Sequence, residues 1–160
     1  MRLFPAVALC VLISAATHAQ TLRGKVVGVS DGDTITVLVN REEVRVRLEA
    51  IDAPETGQPF GDRAKRVLSD AVFGKTVAVE VTGEDRYERK LGFVYIRRRG
   101  EPVSVNRAMV AAGMAWHYVA YSDDEELAEA EAEARKKRRG LWRDDDPMPP
   151  WEWRKRERAG

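Results

Sequence analysis

Apolar and polar residues alternate with a period of two in short runs that end at tight turns, and this pattern most limits how the chain can fold. Leu22 to Val29 carries valines at 26, 27 and 29, and Ser30-Asp31-Gly32 then turns the chain. Thr34 to Val39 is rich in β-branched residues, and Asn40-Arg41-Glu42 makes the next turn. Val44, Val46 and Leu48 then alternate with Arg45, Arg47 and Glu49. A period of two puts one set of side chains on each face of a strand. Three such runs joined by tight turns read as an antiparallel meander.

The rest of the chain mixes strand and helix. Pro54 to Gly61 holds two prolines and two glycines and reads as loop, and Arg63 to Phe73 reads as a helix with Ala64, Val67, Leu68, Ala71 and Val72 on one face. Gly74 stands where a helix stop is expected. Thr76 to Val81 and Leu91 to Arg97 are the fourth and fifth strands, separated by a polar loop from Gly83 to Lys90. Ser104 caps a short helix with Val105, Ala108, Met109 and Ala112 inward, and Ser122 with Glu125 forms a capping-box pair for a last helix reaching about Arg139. The fold class is therefore α+β, a five-stranded OB-fold β-barrel with about three helices. An open α+β sheet is the alternative, because periodicity does not reveal whether the sheet closes.

Composition narrows the chemistry. Among 160 residues there are 27 lysines and arginines, 26 acids, one cysteine and two histidines, a net charge of +1. A lone cysteine excludes a disulfide scaffold. Arg2, the apolar run Leu3 to Ala16 and the small residues up to Ala19 have the form of a secretory leader, so residues 1–19 are expected to be removed and the product to be secreted or periplasmic. A retained N-terminal anchor is the alternative. The cut chain has no thiol and one histidine, His117, which excludes cysteine nucleophiles and thiolate zinc sites. No Gly-x-Ser-x-Gly elbow is present. His117, beside a tryptophan, reads as a packed or hydrogen-bonded histidine rather than a general acid. Carboxylates, arginines and tyrosines remain to carry any chemistry.

Three clusters hold them. Asp31-Gly32-Asp33-Thr34 reads by itself as a hairpin turn, but it also lets Asp33 aim a carboxylate from a strand end. Arg47-Leu48-Glu49-Ala50-Ile51-Asp52-Ala53-Pro54-Glu55 sets two acids and an arginine where a strand breaks into loop, with Pro54 stiffening the chain. Glu84 to Lys90 reads by itself as a solvated hairpin loop. Taken together, aspartates on a rigid barrel suit a hard cation bound through oxygen, Ca²⁺ rather than Zn²⁺. Two arginines can fork onto a phosphate, and one glutamate is left to take a proton from water. Phosphodiester hydrolysis needs these parts, because charge grows on the phosphoryl oxygens in its transition state.

At this point the chain resembles the staphylococcal nuclease (thermonuclease) family. The likeness rests on Asp31-Gly32-Asp33-Thr34, on Arg47-Leu48 through Ile51-Asp52-Ala53-Pro54-Glu55, and on Asp85-Arg86-Tyr87-Glu88-Arg89, in that order and spacing. Gly113-Met114-Ala115-Trp116, Tyr118, Tyr121 and Gly140-Leu141-Trp142 extend it over about residues 22–143. The resemblance implies a Ca²⁺-dependent endonuclease acting on DNA and RNA, with single strands preferred. By motif position Asp33, Asp52 and the Ala53 carbonyl would bind the metal, and Glu55 would be the general base. Arg47 and Arg89 would clamp the scissile phosphate, Arg86 and Tyr87 would line the nucleotide pocket, and Tyr118 and Tyr121 would stack on bases. Glu88 departs from the family's usual glycine, which predicts altered loop geometry and weaker substrate binding.

The domain plan is thus a leader (1–19), a nuclease-like OB-fold domain (20–143) and a basic tail with proline and tryptophan (144–160). Pro147 to Trp153 is expected against the barrel, and the last seven residues are expected to lack fixed structure. Charges at the two ends of the last helix match its dipole and need no ligand. Arg97-Arg98-Arg99 at a hairpin tip and the tail arginines from Arg154 are further candidates for phosphate contact, with a solvated tip as the ordinary reading. A monomer free of the membrane after leader cleavage is expected. The competing function is a non-catalytic OB-fold module binding single-stranded nucleic acid, for which three acids beside a phosphate have no use.

Overall fold

The structure, a computed structural model, describes residues 20–160. The leader, with Cys10 and His18, lies outside the described residues. The elements in chain order are β1 (Gln20–Val29), β2 (Thr34–Val39), β3 (Glu42–Leu48), β4 (Ile51–Asp52), α1 (Gly61–Val72), β5 (Thr76–Glu84), β6 (Lys90–Arg98), β7 (Glu101–Ser104), α2 (Val105–Ala111), β8 (Trp116–His117), α3 (Glu125–Lys136), a 3₁₀ turn (Gly140–Arg143) and α4 (Pro150–Ala159).

Closure of the sheet decides the architecture. β1 pairs antiparallel with β2 and β5, β2 with β3, and β5 with β6. β3 then meets β6 in parallel, with Val46 opposite Lys90 and Leu48 opposite Gly92, and the five strands become a barrel. The open-sheet alternative is therefore excluded. All five expected strands belong to this barrel; β7, which periodicity missed, hangs on β6 as a hairpin arm. The β2–β3 turn holds Asn40 and Arg41 at φ 50 and 73, the two positive values that a two-residue hairpin needs.

Inward-facing Val26, Ile35, Val37, Val46, Leu48, Val77, Val79 and Val94 fill the barrel without measurable exposure or nearly so. Ala64, Leu68 and Val72 of α1, with Met109 and Val110 of α2, complete that core. Burying each large aliphatic side chain contributes roughly 1.5–3 kcal/mol. In α2, Ala108 faces solvent instead of the core, and the buried Asn106 takes an inward place. Its Oδ1 accepts from Val94 N at 2.9 Å and its Nδ2 donates to Glu49 O at 2.9 Å, so a polar side chain ties the helix to the barrel with both ends satisfied.

Helix ends differ from expectation where side chains have other partners. Ser104 caps α2 as expected, accepting from Arg107 N. On α3 the cap is Asp124, which accepts from Leu127 N at 3.1 Å, and not Ser122. The Ser122 hydroxyl is already engaged by Asp124 N and by His117 Nε2. The larger correction is at the C-terminus. Residues 154–160 are not a loose tail but belong to or end a fourth helix, α4, with Pro150 in its first turn, where a missing N–H costs nothing. Pro147 to Trp153 does lie on the body of the molecule, for Trp151 stacks on Tyr118 at 5.2 Å and meets Trp116 edge-on at 5.5 Å.

Candidate active site

Two close approaches between loops bring the chemistry together. A Cβ at Gly32 would lie 2.7 Å from the Cβ atoms of Ala53 and Ala64, so only glycine lets the Asp31–Asp33 turn lie against the Ala53 segment. Asp33 Oδ2 there accepts the Ala53 N–H at 3.2 Å. A Cβ at Gly61 would lie 2.0 Å from Glu55 O, so the same argument pins the loop after Pro54 to the start of α1. Gln58 locks that loop: its Oε1 accepts from Glu55 N at 3.0 Å, its own N–H donates to Glu55 O, and its Nε2 donates to Met148 O at 2.7 Å.

Barrel closure puts Arg47 at the seam, its backbone opposite both Thr34 and Leu91. Its guanidinium reaches Asp33 Oδ2 at 3.2 Å and Asp52 Oδ1 at 2.8 Å. Asp52 is held by pairing of β4 with β8 and is 1% exposed; Asp33 is 7% exposed. Glu55 stands half-buried at the rim. Opposite lies the Asp85–Arg89 turn. Asp85 Oδ1 accepts from Tyr87 N and Arg89 N, and its Oδ2 accepts from Arg89 Nε at 2.8 Å and pairs with Arg89 Nη2 at 2.7 Å. Glu88 sits at φ 60, the positive value that the expected departure from glycine requires. Arg45 Nη2 donates to Tyr87 O, and the Arg86 guanidinium lies over the Tyr87 ring, 4.8 Å from its centre.

Between these walls is a cleft of about 410 Å³. Asp33, Arg47, Ala53, Glu55, Arg86, Tyr87, Arg89, Tyr118 and Tyr121 all line it, so nine of the ten residues singled out from sequence converge there. The tenth, Asp52, lies directly behind, bonded to Arg47. Tyr121 is 73% exposed at the mouth, whereas Tyr118 has one ring face covered by Trp151. His117 is buried, bonded to Ser122, and away from the cleft, as its packed reading requires.

The cleft also contains Asp31, to which sequence reasoning assigns no role of its own, and two of the tail arginines that it offers only as further candidates for phosphate contact. Asp31 lines it, with its carboxyl pushed up to about 6 by burial and by the charge of Asp33. Arg154 and Arg158 of α4 line it too, four residues apart and hence on one helix face. Arg154 Nη2 meets Asp52 Oδ2 at 2.8 Å, and its Nη1 meets Glu55 Oε1 at 2.6 Å. Burial raises the Asp52 carboxyl, against the hydrogen bonds from Arg154; Asp33 adds to the rise and Arg47 opposes it. Burial alone would weaken the charge on Arg154, but its bonds to Asp52 and Glu55 outweigh this and hold the proton more tightly than usual. Pro149-Pro150 followed by nine residues without glycine or proline was the signal for a helix here.

No group of three or more His, Cys, Asp or Glu side chains is gathered as a metal cage among the described residues. What is present suits a hard cation nonetheless: Asp33 and Asp52 offer buried oxygen donors from rigid backbone. Burial is the main cause of the raised Asp31 and Asp52 carboxyls, and the charge of Asp33 adds to both, so a bound cation would favour their ionised forms.

Residues 45–144 match the model of the family described as staphylococcal nuclease homologues. The chain is 47% identical over 157 residues to protein ParB of Escherichia coli, covering 94% of this chain and 89% of that protein. It is 45% identical to a micrococcal nuclease of Shigella flexneri over 94% of this chain and 90% of the relative. It is also 45% identical to staphylococcal-like nuclease CAN1 of Arabidopsis thaliana, over 74% of this chain and 36% of that longer protein. With its barrel, its cleft and these relatives, the chain belongs to the staphylococcal nuclease family.

Proposed function

We propose that the protein is an exported, Ca²⁺-dependent endonuclease that hydrolyses phosphodiester bonds in DNA and RNA, single strands in preference. The observation that carries this reading is the convergence, in one cleft, of acids behind and arginines in front of a space for a phosphate. Arg47 and Arg89 would each fork two N–H groups onto the scissile phosphate; Arg89 would have to leave Asp85 in part to do so. Glu55, at the rim, takes a proton from the attacking water. Asp33, Asp52 and the Ala53 carbonyl would hold Ca²⁺, which would supply positive charge against the charge that grows on the phosphate. Arg86 and Tyr87 bind the nucleotide, and Tyr118 and Tyr121, whose rings meet edge-on at 4.8 Å, offer aromatic surface to bases.

Export rests on the N-terminal leader, and no helix among the described residues is long and apolar enough to cross a membrane. The extracellular and periplasmic spaces supply Ca²⁺ at levels an oxygen-only site of this kind can use. The N-terminal mass of protein recovered outside the cytoplasm should begin at Gln20. Hydrolysis of denatured DNA by the chain from Gln20 onward, with Ca²⁺ and with a chelator, tests the activity. Cleavage that stops on chelation is expected. DNA binding without cleavage would favour the binding-module reading instead.

A further inference from the structure

α4 lies outside the matched residues 45–144, yet it delivers a side chain to the lining of the cleft. The Arg154 guanidinium spans both oxygens of Asp52, Nη1 to Oδ1 at 3.2 Å and Nη2 to Oδ2 at 2.8 Å, and Nη1 also holds Glu55 Oε1 at 2.6 Å. Arg47 bonds the same Asp52 Oδ1 at 2.8 Å. Asp52 is thus already neutralised, and the proposed base has its oxygen occupied by a cation of the chain's own.

We propose that Arg154 is a resident cation that keeps the site closed, and that Ca²⁺ opens it by displacing Arg154 and freeing α4. The inference rests on the reading of Asp52 as a cation ligand and Glu55 as the base. Ca²⁺ binds carboxylate oxygens at about 2.3–2.6 Å. A divalent ion at that distance from Asp52 would stand within a few ångströms of the bidentate guanidinium, where like charges repel strongly. The two cations compete for one carboxylate. With Arg154 in place, a guanidinium N–H also occupies Glu55 Oε1 at 2.6 Å, where a water would have to approach.

The attachment of α4 suits a displaceable plug. Its start is fixed: Gln58 holds Met148, Pro150 is buried, and Trp151 stacks on Tyr118. Beyond Arg154 the helix is exposed, with Arg158 at the cleft, and among the described residues Lys155 pairs with Glu152 of α4 itself. The Arg154 side chain is 30% exposed, so water reaches the ion pair and a divalent competitor can exchange with it.

Calorimetric titration with Ca²⁺ on the chain from Gln20 onward, in wild type, Arg154→Gln, Arg154→Lys and Lys155→Ala, tests the competition. Thermal unfolding beforehand shows that each variant folds. Arg154→Gln should bind Ca²⁺ roughly tenfold more tightly, as loss of a charged competitor implies. Arg154→Lys, which keeps the charge but loses the fork, should gain less, and Lys155→Ala should bind as wild type does. Trypsin cleavage after Lys155 and Arg156, followed by mass spectrometry, should accelerate with Ca²⁺ in wild type and be fast with or without it in Arg154→Gln. Ca²⁺ binding that is unchanged or weaker in Arg154→Gln, or equal gains in Lys155→Ala, would overturn the displacement and leave the nuclease reading standing. Failure of every variant to bind Ca²⁺ would overturn the cation assignment along with it.

Discussion

Asp33, Arg47 and Asp52 stand on or beside barrel strands, their side chains mostly out of water, and every one of them bonds a partner distant in sequence. Arg86, Tyr87 and Arg89 stand on a turn held chiefly by its own Asp85, with Tyr87 54% exposed. The first wall is assembled by the tertiary fold and is rigid because each of its groups is held by more than one partner at once. The second is assembled locally and only leans on the barrel, through Arg45 and a long contact from Arg89 to Thr34 Oγ1. A hydrolytic site gains from this division. The acids must be fixed before a cation arrives, whereas the arginines must change partners from Asp85 to a phosphate.

The sharpest break of this comparison is at its junction. Glu55→Gln should leave the melting temperature near wild type and lower the single-turnover cleavage rate by about 10²- to 10⁴-fold, the usual worth of a general base. A near-normal rate would remove Glu55 from the mechanism. Arg89→Lys keeps the charge and loses the fork, and should lower kcat/KM by roughly 10²-fold with the fold intact. Should the loss be as small as that of an ordinary surface substitution, the turn would not reach the phosphate.

The fixed wall predicts a pH signature. Asp31 titrates near 6 in the folded chain against 3.8 for the free group, so between those values the native state holds a proton that the unfolded chain has released. Stability therefore falls as pH rises from about 4 to 6, and the deficit stays above that. Two units correspond to about 2–3 kcal/mol. Urea unfolding without divalent ions should show this decline in wild type and lose most of it in Asp31→Asn; equal slopes would place Asp31 in ordinary solvent. The smallest effect concerns the local turn. Glu88→Gly should relieve up to about 1 kcal/mol of strain at φ 60 and remove a negative charge near the arginines. It should show as a lower KM for single-stranded DNA with kcat little changed.

The five barrel strands were legible because their inward residues alternate over whole runs, and the Asp85–Arg89 turn because most of the bonds that shape it lie within five residues. Asn106 was not legible as a core residue: a polar side chain inside is acceptable only when Val94 N and Glu49 O arrive to meet it, and neither is near in sequence. Ala108 was placed inward for the converse reason, since an alanine fits either face of a short helix. Ser122 lost the cap of α3 to Asp124 because His117 had already engaged its hydroxyl.

Periodicity and composition determined the five barrel strands and the absence of thiol chemistry from the chain after residue 19, and the family resemblance in the motifs named ten residues, nine of which line one cleft. Only the tertiary structure decided that β3 would close on β6 and that α4 would fold back to place Arg154 on Asp52. Periodicity reports which face of an element is apolar, and a motif reports which groups share a neighbourhood. Neither carries the separation between residue 52 and residue 154, which is fixed by packing of Trp151 on Tyr118 and by the bond of Gln58 to Met148.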